Sequence, residues 1–163
     1  MNAGEIFVLI LAILISAAGL TALLMVLAAL LPRVTARSKM ALVESARRAF
    51  FIGLANYVFI GGIALLLANI GDVLAVVALI LLAFLTVVTA LGLAGLALHT
   101  GERLAELRRV ELSPFRQLLW GAGAIELATL AVPFAGWFLL APAALMVSFG
   151  AAVLAWRNRK MEI

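Results

Sequence analysis

One acid, one imidazole and a few hydroxyls are the side chains able to do chemistry within the apolar parts of this sequence. Glu126, in Ala-Ile-Glu-Leu-Ala, is the only ionisable residue well inside a long apolar run. Ala122, Gly123, Thr129 and Pro133 stand at i−4, i−3, i+3 and i+7 from it, a face of small and polar residues of the kind that turns into a helix bundle. A carboxylate at the centre of a helix in hydrocarbon costs about 2.5–3.5 kcal/mol on insertion scales, so it faces protein or water. Such a group couples to an ion or proton, binds a cation, or acts as an interhelical hydrogen-bond clamp. By depth, Thr86, Thr89 and Ser148 are its expected hydrogen-bond partners. No second acid or base stands inside the apolar runs to make a relay, which favours the clamp.

His99, the single histidine, is a candidate ligand for a pigment or metal. It is better read as a residue at a helix C-terminus, where an imidazole bonds the last carbonyls. A metal site needs several clustered ligands, and the chain has no cysteine, so thiolate zinc, iron–sulfur and thiol-nucleophile chemistry are excluded. Asn56 and Asn69 read as helix–helix hydrogen-bonding residues. There is no P-loop, GxSxG elbow or HExxH motif. The expectation is a chain that is not an enzyme and needs no cofactor and no metal.

The elements that must position these residues are set by hydropathy. The 163 residues are 67% hydrophobic, with a mean hydropathy of +1.25, far above the roughly 45–50% apolar content of soluble domains. Runs long enough for the ~20 residues that cross a bilayer predict an all-α integral membrane bundle of five transmembrane helices. The spans fall at about 6–31, 50–70, 73–98, 115–132 and 137–156. The first run has no basic residue before it and is too long for a signal peptide. Gly71-Asp72 is the tight turn between the second and third spans, and Pro133-Phe134-Ala135-Gly136 that between the fourth and fifth. Ser113 and Pro114 start the fourth span.

Charged connections separate the runs. In 33–48, Met40, Val43 and Phe50 recur at helical spacing and Glu44 is placed to pair with Arg48, so the segment reads as an interfacial helix. In 100–114, Leu104, Leu107 and Val110 line one side of a short surface helix. Arg33, Arg37, Lys39, Arg47 and Arg48 belong to the first connection. Arg103, Arg108, Arg109 and Arg116 belong to the second or its edge, and Arg157, Arg159 and Lys160 form the tail. Together these are all twelve Lys and Arg. Five spans put them on one side, the other side holding only Glu5 and Asp72. Since cytoplasmic loops retain Lys and Arg, the expected orientation is N-terminus outside and C-terminus cytoplasmic. Trp120, Trp137 and Trp156 fall near span ends, as interfacial anchors do. Small residues at four-residue spacing, Ala144, Ser148 and Ala152, Ala90 and Ala94 beside Gly92 and Gly95, and Ala18 and Ala22, mark candidate helix seams.

The stretches Leu31-Pro32-Arg33, Phe51-Ile52-Gly53-Leu54, Gly101-Glu102-Arg103-Leu104, Ile125-Glu126-Leu127 and Pro133-Phe134-Ala135-Gly136-Trp137 resemble an uncharacterised bacterial family of polytopic membrane domains. Some of its members look like partners of, or fusions to, bactofilin-type cytoskeletal polymers. The resemblance covers most of the chain and implies a scaffold or anchor in the bacterial cytoplasmic (inner) membrane, with no catalytic residues. The expected function is a non-enzymatic membrane subunit that packs with other membrane proteins or with itself. Its basic cytoplasmic face would meet anionic lipid or an acidic partner, and nucleic acid is not expected. The alternative is a small transporter or channel component that uses Glu126.

Overall fold

The computed structural model of the protein describes residues 2–131 and 133–158. Arg159 and Lys160 of the basic tail, and Val132 at the end of the expected fourth span, lie outside the described residues. Among the described residues the fold is helical throughout and contains no strand.

Helix α1 (Ala3–Leu30) begins at a capping interaction in which the Asn2 backbone N–H donates to the Glu5 carboxylate, 3.0 Å away. It ends because Pro32 disfavours helical geometry at Leu31, which sits at φ −126°, ψ 54°. Pro32 itself needs no N–H partner and opens α2 (Pro32–Ala68) at its first position. Ser45, at φ −164° and ψ 64°, breaks α2 into two helical pieces. The corner therefore comes before Arg47 and Arg48 and not after them. It also removes the i,i+4 geometry that would have paired Glu44 with Arg48, and these two form no ion pair.

Helix α3 (Asp72–Arg108) follows a turn at 69–71 and runs for 37 residues, about 55 Å at 1.5 Å per residue. The expected separate surface helix in 100–114 is thus the end of α3. Nothing in 99–108 interrupts the backbone ladder, and Gly101 is a packing contact inside the helix. Arg109 ends α3 in the left-handed region, at φ 54° and ψ 40°. Helix α4 (Pro114–Ala131) starts with the Gln117 N–H on the Ser113 carbonyl at 2.9 Å. After Ala131 the chain turns into a short helix α5 (Pro133–Ala135), a π-helical turn (Gly136–Leu140) and helix α6 (Ala141–Asn158). The π turn is marked by the Ala141 N–H reaching the Gly136 carbonyl. It lies just before Pro142, whose ring in a regular α-helix would press on the carbonyl four residues back; a widened turn relieves that crowding.

Among the described residues four stretches are long and apolar enough to cross a membrane: Gly4–Leu30, Pro32–Ala68, Asp72–Arg108 and Gly136–Arg157. This is a membrane protein. Helix α4 is shorter, at 18 residues, and carries Arg116, Gln117 and Glu126.

The second piece of α2 and the middle of α3 both pack against α6 through glycines pressed onto backbone. A Cβ at Gly53 would overlap the Met146 carbonyl, one at Gly150 that of Ala49, and one at Gly92 that of Ser148. Gly101 and Gly121 join α3 to α4 in the same way, on the carbonyls of Gln117 and Ala97. Lipid tails are as apolar as leucine and give helices no hydrophobic reason to associate, so close backbone approach supplies the attraction. The expected seams on the third and fifth spans correspond to buried Gly92, Ala94, Gly95, Ser148 and Ala152. In α1 the expectation fails: Ala18 and Ala22 are exposed, and the helix packs instead through Leu24, with Met25 and Ala28 beside it.

Candidate functional site

Glu126 sits three turns into α4, on the side that meets α1. The Thr21 hydroxyl donates to its Oε1 at 3.1 Å. The second carboxylate oxygen has no hydrogen-bond partner among the described residues. Glu126 lines a groove of about 410 Å³ between α1, α4, the π turn and α6. The walls are aliphatic and small, with Ala12 and Ala17 from α1 and Ala141 and Ala144 from α6. Three polar side chains line it besides the Trp137 indole: Ser16, Glu126 and Thr129. Thr129 lies one turn beyond Glu126 on the same face, and its hydroxyl proton is engaged by the Ile125 carbonyl at 2.8 Å. What Thr129 offers the groove is therefore a lone pair. Among the described residues no cationic side chain lines the groove.

The partners expected for Glu126 are elsewhere. Thr86 is exposed and donates to the Leu82 carbonyl of its own helix at 2.8 Å. Thr89 is buried and donates to the Leu85 carbonyl at 2.6 Å. That uses its single proton, so the Tyr57 hydroxyl 2.6 Å away is the donor in the bond joining α2 to α3. Ser148 is fully buried where α6 crosses Gly92, and its hydroxyl has no partner. Depth alone does not select between neighbours, because the bundle places α1, not α3 or α6, beside the carboxyl face of α4. Asn56 and Asn69, read as interhelical, bond the carbonyls of Ile52 and Leu65 one turn back on α2, each at 2.7 Å.

His99 is not at a helix end. It lies inside α3, nine residues before its last residue, with the ring Nδ1 buried and without a partner. The reading of His99 as a C-terminal cap fails for the same reason as the separate surface helix: α3 continues through it. Among the described residues no three His, Cys, Asp or Glu side chains gather as a metal site would require.

The basic segments converge at one end of the bundle. Lys39 of α2 reaches Glu102 of α3 at 2.7 Å. Arg37 lines a cleft with Trp156 near the end of α6, and the Arg108 guanidinium lies 4.7 Å from the centre of the Trp120 ring of α4. Arg103 pairs with Glu106 at 3.2 Å, and Arg47 stands 5.9 Å over Phe51. Arg33, Arg48, Arg109, Arg116 and Arg157 are exposed and have no ion-pair partner among the described residues.

No protein-family model, curated protein or solved structure matches this chain.

Proposed function

We propose that the chain is a non-enzymatic, multi-pass subunit of the bacterial cytoplasmic membrane. Five helices cross the bilayer, and the bundle packs with partner membrane proteins or with copies of itself while its basic end meets the cytoplasmic leaflet. The observation that carries this reading is the gathering of the basic segments at one end of the bundle, with five arginines there that have no ion-pair partner among the described residues. Anionic headgroups attract a basic residue at the surface by about 1 kcal/mol each. Helix α4 supports the fifth crossing despite its polar residues: it lies antiparallel to α3, as the Gly101–Gln117 and Gly121–Ala97 contacts require, and its length of about 27 Å approaches the hydrocarbon thickness. The scaffold or anchoring role implied by the family resemblance fits a subunit of this kind.

Native mass spectrometry from mild detergent tests the role. Stable copies, a stoichiometric companion or retained anionic lipid is the expected result, and a bare monomer from every detergent overturns the reading. Orientation is tested in the cysteine-free chain by single cysteines at the exposed positions Asp72, Phe134 and Glu111. An impermeant thiol reagent on intact cells should modify the first two and spare the third.

A second reading, a small transporter or channel component coupled through Glu126, is favoured by the place of this acid in the groove lining with one bond, from Thr21, among the described residues. Liposomes containing the protein should then pass protons or small cations faster than empty ones, and Glu126→Gln should abolish the difference.

A further inference from the structure

We propose that the groove at Glu126 binds a lipid-soluble monocation, an ammonium or phosphonium with a compact apolar body. The groove's volume, about 410 Å³, falls within the roughly 300–1,000 Å³ of sites that hold small organic molecules. Among the described residues its only charged group is the acid Glu126; the Ser16 hydroxyl and the Trp137 indole N–H are neutral. Glu126 contributes an oxygen with no protein partner, and Thr129, whose proton is held by the Ile125 carbonyl, contributes a lone pair. Among the described residues no Lys, Arg or His lines it to meet an anion. A carboxylate away from water without a counter-charge is costly, and a cation in the groove offsets that cost. The Trp137 ring at the margin adds a face that attracts cations. Entry from the bilayer is open, since Trp137 is 61% exposed and the flanking α1 residues Leu11, Leu14 and Ile15 are exposed as well. The inference concerns equilibrium binding and holds whether or not the protein transports anything.

Tetraphenylphosphonium and tetraphenylborate have nearly the same shape and opposite charge, so they separate charge recognition from partitioning. Binding of radiolabelled tetraphenylphosphonium is measured by equilibrium dialysis against the protein in nanodiscs of zwitterionic lipid, with empty discs subtracted. Saturable uptake at one site per chain is expected, with no displacement by tetraphenylborate. Glu126→Gln keeps an acceptor for Thr21 and removes the charge, and should weaken binding at least about tenfold. Ala141→Leu keeps Glu126 and fills the groove, and should weaken it as well. Circular dichroism and gel filtration check that each variant is folded. Uptake no greater than that of empty discs, equal competition by tetraphenylborate, or a folded Glu126→Gln protein that binds like wild type overturns the proposal. The wild-type comparison of the two ions decides alone if Glu126→Gln does not fold. Liposome flux is a separate readout: binding without flux removes the transport reading and leaves this one standing.

Discussion

The α2–α3–α6 seam and the α1–α4 groove are built from the same small residues and reach opposite outcomes. In the seam, Gly53, Gly92 and Gly150 lie against the backbone of the neighbouring helix, and Ala49, Ala151 and Ser148 are sealed between helices. In the two helices that flank the groove, Gly19 of α1 and Gly123 of α4 meet nothing within 4 Å of where a Cβ would stand. Leu24 is the one core residue described in α1, whose remaining large side chains are mostly exposed. Without a hydrophobic force between helices in lipid, rigidity follows backbone approach. Where approach is incomplete, the small side chains leave volume that a ligand can fill.

The largest effect should come from breaking the seam. Gly92→Leu and Gly53→Leu each drive a side chain into a carbonyl that belongs to another helix's backbone and cannot rotate away. Overpacking ordinarily costs about 1–3 kcal/mol, and a backbone collision belongs at the upper end or beyond it. Unfolding by denaturing detergent, followed by circular dichroism, should show both variants destabilised by about 3 kcal/mol or more. Gly19→Leu, added where there is open space, should change stability by no more than about 0.5 kcal/mol. Equal losses at Gly92 and Gly19 would erase the distinction between the two regions.

That distinction also marks what the sequence could and could not reveal. The long helices are legible because apolar runs of span length have few alternatives. The role of a given glycine is not, since Gly19 and Gly92 look alike until the neighbouring helix is in place. Gly101 is the clearest case: it falls in what reads as a separate charged connection and is a contact point between α3 and α4. His99 was misplaced along with it, because its surroundings depend on where α3 ends. Ser45 turns α2 with neither proline nor glycine to announce it. Glu126 was legible as an inward-facing acid from its own helix face, but its partner Thr21 was not. Helix α1 is apolar around its whole circumference, so no face of it declares which side meets α4. The π turn has a partial signal in Pro142, since a proline inside a helix perturbs it without specifying that the turn before it widens.

A second contrast lies in the polar bonds of the two regions. Tyr57 to Thr89 at 2.6 Å crosses the seam, and Thr21 to Glu126 at 3.1 Å crosses the groove side. Hydrogen bonds between helices in membranes average about 0.6 kcal/mol and reach about 1.7. Tyr57→Phe should cost an amount in that range, since it also leaves the Phe149 edge-to-face contact in place. Thr21→Val should cost less in global unfolding, because few other α1–α4 contacts depend on it. It should instead raise hydrogen exchange in the first half of α1. A global loss for Thr21→Val as large as that for Tyr57→Phe would mean that α1 belongs to the same cooperative unit as the seam.

The smallest effect is expected at Lys39–Glu102, which ties the first piece of α2 to the end of α3 at the basic end of the bundle. Its 2.7 Å separation is short, but the side chains keep 22% and 35% of their surface in contact with solvent. Screening at such a site limits an ion pair to about 0.2–1 kcal/mol. A double-mutant cycle of Lys39→Ala and Glu102→Ala should give a coupling in that range, and raising the salt toward 1 M, where the screening length is about 3 Å, should reduce it further. The neighbouring Ser38, fully buried against Gly95, should respond differently. Gly95→Leu at that contact should unfasten the first piece of α2 regardless of salt. A salt-insensitive coupling larger than the Gly95 effect would show that charge, and not backbone contact, holds this segment to the bundle.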